Sequence, residues 1–162
     1  MPECRPLDDS DIDAVCTLPA NRAELFYMFP RASYPLTREQ MIVQIYKRNN
    51  STVIEEDGKV IAYANIYNLE KGQSCFIGNL VVRETSRGKG IATQLIGYMN
   101  RVAISQHWVK AIHISVFETN EAALSLYMGL GFLPYAKEEK TDPDGVKVIL
   151  VHMKKDTGLR NR

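Results

Sequence analysis

Cysteine is scarce in this chain. Cys4, Cys16 and Cys75 are odd in number and far apart, which argues against a disulfide framework or a clustered zinc site and leads us to expect no bound metal and a reduced, cytoplasmic setting. Long apolar runs are missing as well. No stretch approaches the ~20 residues that span a bilayer, and Met1-Pro2-Glu3-Cys4-Arg5 lacks the apolar segment of a secretory signal. Charge of one sign is absent too: 20 Lys and Arg against 19 Asp and Glu leave a net +1, without the basic face that general nucleic-acid binding needs. Repeats, low-complexity segments and linkers are also lacking. What remains is a 162-residue chain, 45% hydrophobic and 24% charged, which fits one globular domain with a full core. We expect that domain over residues 1–154 and a frayed polar tail over 155–162.

The hydrophobic pattern orders the elements. Cys4 to Leu7 can form a short strand, and Ser10-Asp11-Ile12-Asp13 has capping-box spacing for a helix that turns Ile12 and Val15 inward. Residues 19–36 hold no clear period, although Phe26, Tyr27, Phe29 and Tyr34 crowd them. Thr37-Arg38-Glu39-Gln40 is a second capping box, opening a helix to about Arg48. Asp57-Gly58 joins 51–56 to 59–67 as a tight hairpin. Ser74 to Arg83 completes an antiparallel meander, with Gly78 hinting at a bulge. A helix from about Gly90 to Gln106 places Ile91, Leu95, Met99 and Val102 on one face. Ala111 to Val116 reads as a buried strand, so the strand–helix–strand run forms a right-handed parallel crossover. Asn120 then caps a short helix with Ala123, Leu126, Tyr127 and Leu130 on one face, stopped by Gly131. A last hairpin runs from Phe132–Ala136 to Val146–Met153. The sum is an α/β domain with a mixed, mostly antiparallel sheet.

One segment carries chemistry. Asn79-Leu80-Val81-Val82-Arg83-Glu84-Thr85-Ser86-Arg87-Gly88-Lys89-Gly90-Ile91-Ala92-Thr93 takes an apolar strand through a basic, glycine-bearing turn into a helix. Such a helix start offers unused backbone N–H groups to a phosphate or pyrophosphate. It is not a P-loop, because Arg83 stands where the first glycine belongs and Gly90 where Ser or Thr belongs. Nor is it a dinucleotide fingerprint, since Thr93 replaces the last small residue and Ala111–Val116 offers no acid.

Arg87-Gly88-Lys89-Gly90-Ile91-Ala92 instead resembles the Q/R-x-x-G-x-G/A signature of the GNAT N-acetyltransferase superfamily. The resemblance extends to Leu80-Val81-Val82 and to Asn120-Glu121-Ala122-Ala123-Leu124-Ser125-Leu126-Tyr127-Met128-Gly129-Leu130-Gly131-Phe132, which looks like the family's N-x-x-A-x-x-L-Y-x-x-x-G-F segment. It implies the GNAT fold, with helices on both sheet faces and Phe76–Arg83 splaying from Ala111–Val116 to admit acetyl-CoA as co-substrate. It also implies that the backbone of Leu80, Val81 and Val82 lies along the pantetheine arm. The amides of Gly88, Lys89, Gly90, Ile91, Ala92 and Thr93, beside Arg87, would cradle the pyrophosphate. Asn120 would bond the pantetheine region, and Tyr127 would act as general acid near the thioester sulfur. Asn120 and Tyr127, seven residues apart, fall on one helix side about 10.5 Å apart along the axis.

The implied reaction is direct attack of a primary amine, from a small molecule or a peptide or protein, on the thioester. A phenol is protonated at neutral pH and can serve as the acid, and a free N–H near Leu80 to Val82 can face the oxyanion. The base is less clear. Many relatives carry a carboxylate where Asn79 or Ser115 stands here; Glu118, His113, Glu24 or a water chain are the substitutes. Presenting a lysine amine neutral at pH 7 costs ~4.6 kcal/mol and an α-amine only ~1 kcal/mol, so a less basic amine would ease the need. His113, between Ile112 and Ile114, also fits a structural role, and Cys75 an inert thiol. The aromatic loop can line an acceptor pocket or pack the first helices, and Arg22 and Arg31 can meet a carboxylate. A non-catalytic acyl-CoA-binding module and a nucleotide binder are the alternative readings, and a homodimer is compatible with the family.

Overall fold

The computed structural model describes residues 1–160. Its elements are β1 (Glu3–Pro6), α1 (Ile12–Cys16), α2 (Arg22–Met28), α3 (Arg38–Lys47), β2 (Asn49–Glu56), β3 (Lys59–Glu70), β4 (Ser74–Val82), α4 (Ile91–His107), β5 (Ala111–Phe117), α5 (Glu121–Gly129), β6 (Leu133–Thr141) and β7 (Lys147–Asp156). They build a seven-stranded sheet in the order β1-β2-β3-β4-β5-β7-β6. Among the described residues only β4 and β5 run parallel, as the crossover through α4 requires. Among the described residues no helix is long and apolar enough to cross a membrane.

Each sheet face has its own core. On one, Ile91, Leu95, Ile96, Met99, Val102 and Ala103 of α4 bury against Ile54, Ile66, Ile77, Ile112 and Ile114, the helical stripe expected from the sequence. On the other, Val15, Leu18, Leu25 and Met41 close over Val53, Tyr63 and Val81. Burying side chains of this size contributes ~1.5–3 kcal/mol each, so both helix layers are held by the sheet.

Several boundaries differ from the sequence reading. Asp8, not Ser10, caps the first turn: its carboxylate accepts from Ser10 N at 3.0 Å, while Asp11 accepts from Asp8 N at 2.8 Å. Asp11 is fixed by Arg5 of β1 at 2.7 Å, which sets the box two residues earlier. The patternless segment contains α2, capped by Asn21, whose Oδ1 accepts from Glu24 N at 2.9 Å. At 7 residues it is too short to show a period. In the second capping box Thr37 accepts from Gln40 N at 3.3 Å, but the Gln40 side chain bonds Ser33 instead. The tail begins later than expected. Lys155 and Asp156 belong to β7 opposite Ile112 and Ala111, and Thr157 N donates to Lys110 O at 2.9 Å. Residues 161 and 162 of that tail lie outside the described residues.

The bulge in β4 falls at Asn79, not Gly78. The β3 register jumps from Tyr63↔Val81 to Asn65↔Gly78, and Asn79 has φ 48°. Side-chain alternation changes phase there. Cys75 and Ile77 face α4 before the bulge, and Leu80 and Val82 do so after it. Gly78 is glycine for another reason: a Cβ would lie 2.5 Å from both Arg48 Nη1 and the Tyr67 ring.

Candidate functional site

The splay at the sheet centre makes the site. β4 pairs with β5 only from Ser74↔Ala111 to Ile77↔Ile114. Beyond that β5 keeps only its pairing with β7, which runs along its other edge from Ala111 to Phe117, and among the described residues the β5-side edge of β4 from Gly78 to Val82 faces no strand. A cleft of about 580 Å³ opens at this gap, lined by Leu80, Val81, Val82, Arg87, Gly88, Gly90, Ile91, Ala92, Thr93, Asn120 and Tyr127, with Glu24 and Tyr27 of α2.

Gly88 and Gly90 sit at φ 75° and 78°. A Cβ at either would meet open space, so conformation rather than crowding demands glycine. The turn holds back the helix hydrogen bonds. The first is Gln94 N to Gly90 O at 3.0 Å, and the N–H groups of Gly88 through Thr93 have no partner among the described residues. Unused amides at a helix start form an anion cradle.

The basic side chains of this loop do less. Arg87 Nε and Nη2 donate to Val82 O at 3.1 and 2.9 Å, and Nη2 and Nη1 donate to Glu24 at 2.6 and 3.2 Å. The clamp ties α2 to the end of β4 and consumes four of the arginine's five N–H donors. Lys89 lies outside the cleft lining and approaches Thr85 O at 3.4 Å.

Tyr127 is held by the end of its own helix. Phe132 N donates to Tyr127 O and Gly131 N to Met128 O, both at 3.1 Å, the paired bonds of a Schellman stop. The buried Phe132 ring packs 6.4 Å from the Tyr127 ring. Burial pushes the Tyr127 phenol well above its ordinary value. Its hydroxyl has no protein partner among the described residues and is not sealed from the cleft. Asn120 occupies the N-cap position of α5 but its side chain makes no capping bond, contrary to the capping role read from the sequence. Its amide is left to the cleft.

A second cleft of about 700 Å³ lies on the sheet face opposite α4, lined by Phe26, Phe29, Arg31, Lys47, Arg48, Tyr67, Asn79, Ser115, Phe117, Glu138, Lys140 and His152 among others. It meets the first at consecutive residues, Met28 with Phe29 and Asn79 with Leu80. The aromatic loop serves both packing and lining: Phe26 stacks on Phe117 at 4.5 Å, and Tyr27 OH reaches Thr119 Oγ1 at 2.9 Å. Arg22 lines a separate depression with Tyr34.

The substitutes for a base fare differently. The Arg87 hydrogen bond holds the Glu24 carboxyl below its usual range despite partial burial, so Glu24 is an ion-pair partner. His113 bonds Tyr135 OH at 2.7 Å and stacks on Phe76 at 4.5 Å. Burial, then Lys154 and His152, lower its pKa, and it lines none of these clefts. Glu118 pairs with Lys137 at 3.1 Å, exposed. Asn79 is a buried hub: its Oδ1 accepts from Gln44, Arg48 and Asn65 at 3.1, 3.0 and 2.8 Å, and its Nδ2 donates to Met28 O at 2.9 Å. Cys75 is buried with its thiol pushed up to about 11 by burial, in keeping with an inert role.

Ser115 leads to a group the sequence reading missed. Its Oγ lies 2.7 Å from His152 Nδ1, and His152 Nε2 lies 3.0 Å from Glu138 Oε1. Glu138 also takes Lys140 Nζ at 2.8 Å, and the lysine, then His152, hold its carboxyl below the usual range. This serine–histidine–carboxylate chain can pass a proton away from the cleft. Only alternation along β6 and β7 could have hinted at it.

The Acetyltransferase (GNAT) family model matches residues 17–132. No curated protein sequence matches the chain. Solved structures are similar across nearly the whole length. Spermidine N-acetyltransferase from Vibrio cholerae, in complex with CoA and spermine, is 18% identical over 96% of this chain and 95% of its own, with TM-score 0.80. The Salmonella typhimurium yncA protein with acetyl-CoA is 17% identical over 100% and 97%, TM-score 0.77. Ribosomal-protein-alanine N-acetyltransferase from Brucella melitensis is 20% identical over 95% and 99%, TM-score 0.76. With the sheet order, the splayed parallel pair and the matched segment in agreement, the chain belongs to the GNAT acetyltransferase family.

Proposed function

We propose that this protein transfers an acetyl group from acetyl-CoA, held in the first cleft, to a primary amine that approaches from the second. The observation that carries this reading is the meeting, in one cleft, of unused amides from Gly88 to Thr93, a partnerless β4 edge and the free Tyr127 hydroxyl. These fit a long ligand with a pyrophosphate at one end and a reactive group at the other. Two of the similar structures are named as N-acetyltransferases of spermidine and of a ribosomal-protein alanine, which supports an amine acceptor here.

Acetyl-CoA supplies an activated thioester, so no enzyme-bound acyl group is needed. The chain's residues divide the remaining work. The Gly88–Thr93 amides bind the phosphates, and Asn120 and the β4 backbone orient the extended arm. An N–H of the Leu80–Val82 edge faces the carbonyl oxygen as negative charge grows there. Tyr127 stays protonated, because burial raises its pKa, and donates a hydrogen bond to the departing sulfur. Ser115 relays the proton that the amine sheds to His152, whose other ring nitrogen lies against Glu138.

The test is Tyr127→Phe, followed by thiol release and by acetyl-CoA-induced thermal stabilisation. We expect turnover to fall about 100-fold or more with the stabilisation retained. Unchanged turnover would remove Tyr127 from the mechanism. Stabilisation of the wild-type protein by acetyl-CoA without thiol release toward any amine would point to a binding module instead.

A further inference from the structure

Arg48 is a guanidinium arranged for a ligand that the fold does not contain. It follows α3 and lies half-buried over the Tyr67 ring, 4.1 Å from its centroid. Its Nη1 donates to Asn65 Oδ1 at 3.2 Å and Asn79 Oδ1 at 3.0 Å. Both acceptors are neutral. They and the aromatic face orient the cation without cancelling its charge, and an arginine in such a place stays charged. Nε and Nη2 have no partner among the described residues, and neither is sealed from solvent. That unused edge is the fork that takes the two oxygens of a carboxylate.

The rest of the cleft adds to the same sign. Lys140 is matched by Glu138 at 2.8 Å. Arg31 and Lys47, also in the lining, pair with no carboxylate among the described residues, and the pKa of Arg48 is lowered first by burial and only lastly by Arg31. Gly78 shows that room is kept for this arrangement, since any side chain there would run into Arg48 Nη1 and the Tyr67 ring. A polyamine would bring cations to this excess of positive charge. A volume of about 700 Å³ is that of a small-molecule pocket.

Resting on the transferase reading above, we propose that the acceptor is a small amino acid-like zwitterion, whose carboxylate docks on the Nε–Nη2 edge of Arg48 while its amine points toward the bulge between the two clefts. On transfer a C–N bond forms and the C–S bond breaks. The amine proton leaves toward Ser115 and His152, and the sulfur takes the C–S electron pair and a proton from the Tyr127 hydroxyl to depart as a thiol, the phenol being reprotonated from solvent.

The experiment is a thiol-release panel with acetyl-CoA: free amino acids, the carboxamides of the same amino acids, and spermidine. Acetyl-CoA-induced thermal stabilisation is measured in parallel. We expect kcat/KM for the best free amino acid to exceed that of its carboxamide about 30-fold or more. Arg48→Gln should raise KM for it about 10- to 100-fold while leaving the acetyl-CoA stabilisation unchanged. Arg48→Lys, which keeps charge but not the fork, should recover only part of the loss. Carboxamides or spermidine turned over as fast as the free acids, or Arg48→Gln with unaltered KM, would overturn the proposal. So would silence across the whole panel with stabilisation by acetyl-CoA intact. Absence of that stabilisation in the wild-type protein would instead strike the transferase reading itself, and this inference with it.

Discussion

The two clefts share a wall at Asn79–Leu80 and are made of different material. The first is built of backbone: amides freed by Gly88 and Gly90, and a strand edge left open by the splay. Its arginine is spent on Glu24 and Val82. The second is built of side chains, with Arg48 on Tyr67 and Ser115 leading to His152 and Glu138. A backbone site depends on conformation and is indifferent to most side chains nearby. A side-chain site is specified residue by residue, so its chemistry can change while the sheet stays as it is.

That contrast can be broken most severely at Gly90. Gly90→Val places a β-branched residue at φ 78°, where L-residues are strained by ~1–3 kcal/mol. It should also turn away amides that bind charged phosphate. Acetyl-CoA affinity should fall by two orders of magnitude or more, read by calorimetry, with little loss of helix by circular dichroism. Retained affinity would mean that the loop backbone is not the cradle.

A change in the second cleft should leave coenzyme binding alone. His152→Gln removes the proton acceptor while keeping a polar side chain near Ser115. We expect kcat to drop roughly 10- to 100-fold at neutral pH, with the deficit shrinking as pH rises and more amine is neutral. An equal deficit at every pH would reduce His152 to a packing role.

The smallest effect sharpens the comparison at the clamp. Glu24→Gln frees Arg87, and acetyl-CoA should then bind unchanged or a few-fold tighter. Because the Arg87 hydrogen bond holds the Glu24 carboxyl below its ordinary value, the ion pair stabilises the fold above the unfolded pKa and is lost as pH falls through the folded one. With Arg87 43% exposed, solvent screening limits this to about 0.5–1 kcal/mol. Thermal melts of wild type and variant should therefore converge below about pH 4.5, and melts that stay parallel through that range would count against it.

The difference in material also explains what the sequence made legible. A backbone site announces itself through glycine in a short contiguous stretch, so the loop from Arg87 to Thr93 and the helix holding Tyr127 could be read directly. The stripe of α4 was visible because 17 residues hold several periods. α2 has too few turns for that, and its Asn21 cap emerged only from the structure. Ser115 and His152 are 37 positions apart, and Arg48 and Asn79 are 31. Nothing local marks such pairs, since they meet only through strand order and register. Gly78 was legible as an irregularity, but its cause was Arg48, just past α3, together with the Tyr67 ring of β3.

The phase change at Asn79 has a further consequence. Because the extra residue reverses which of Leu80, Val81 and Val82 face α4, chain length at that point, rather than composition, assigns those positions to the α4 side or to the opposite core. Substitutions there can be graded and compensated by neighbours. An insertion or deletion in the same strand is all-or-none: it would turn that wall of the first cleft inside out, and no side-chain exchange could turn it back. The second cleft is therefore free to diversify by point mutation, whereas the spacing between Gly78 and the glycine loop is fixed.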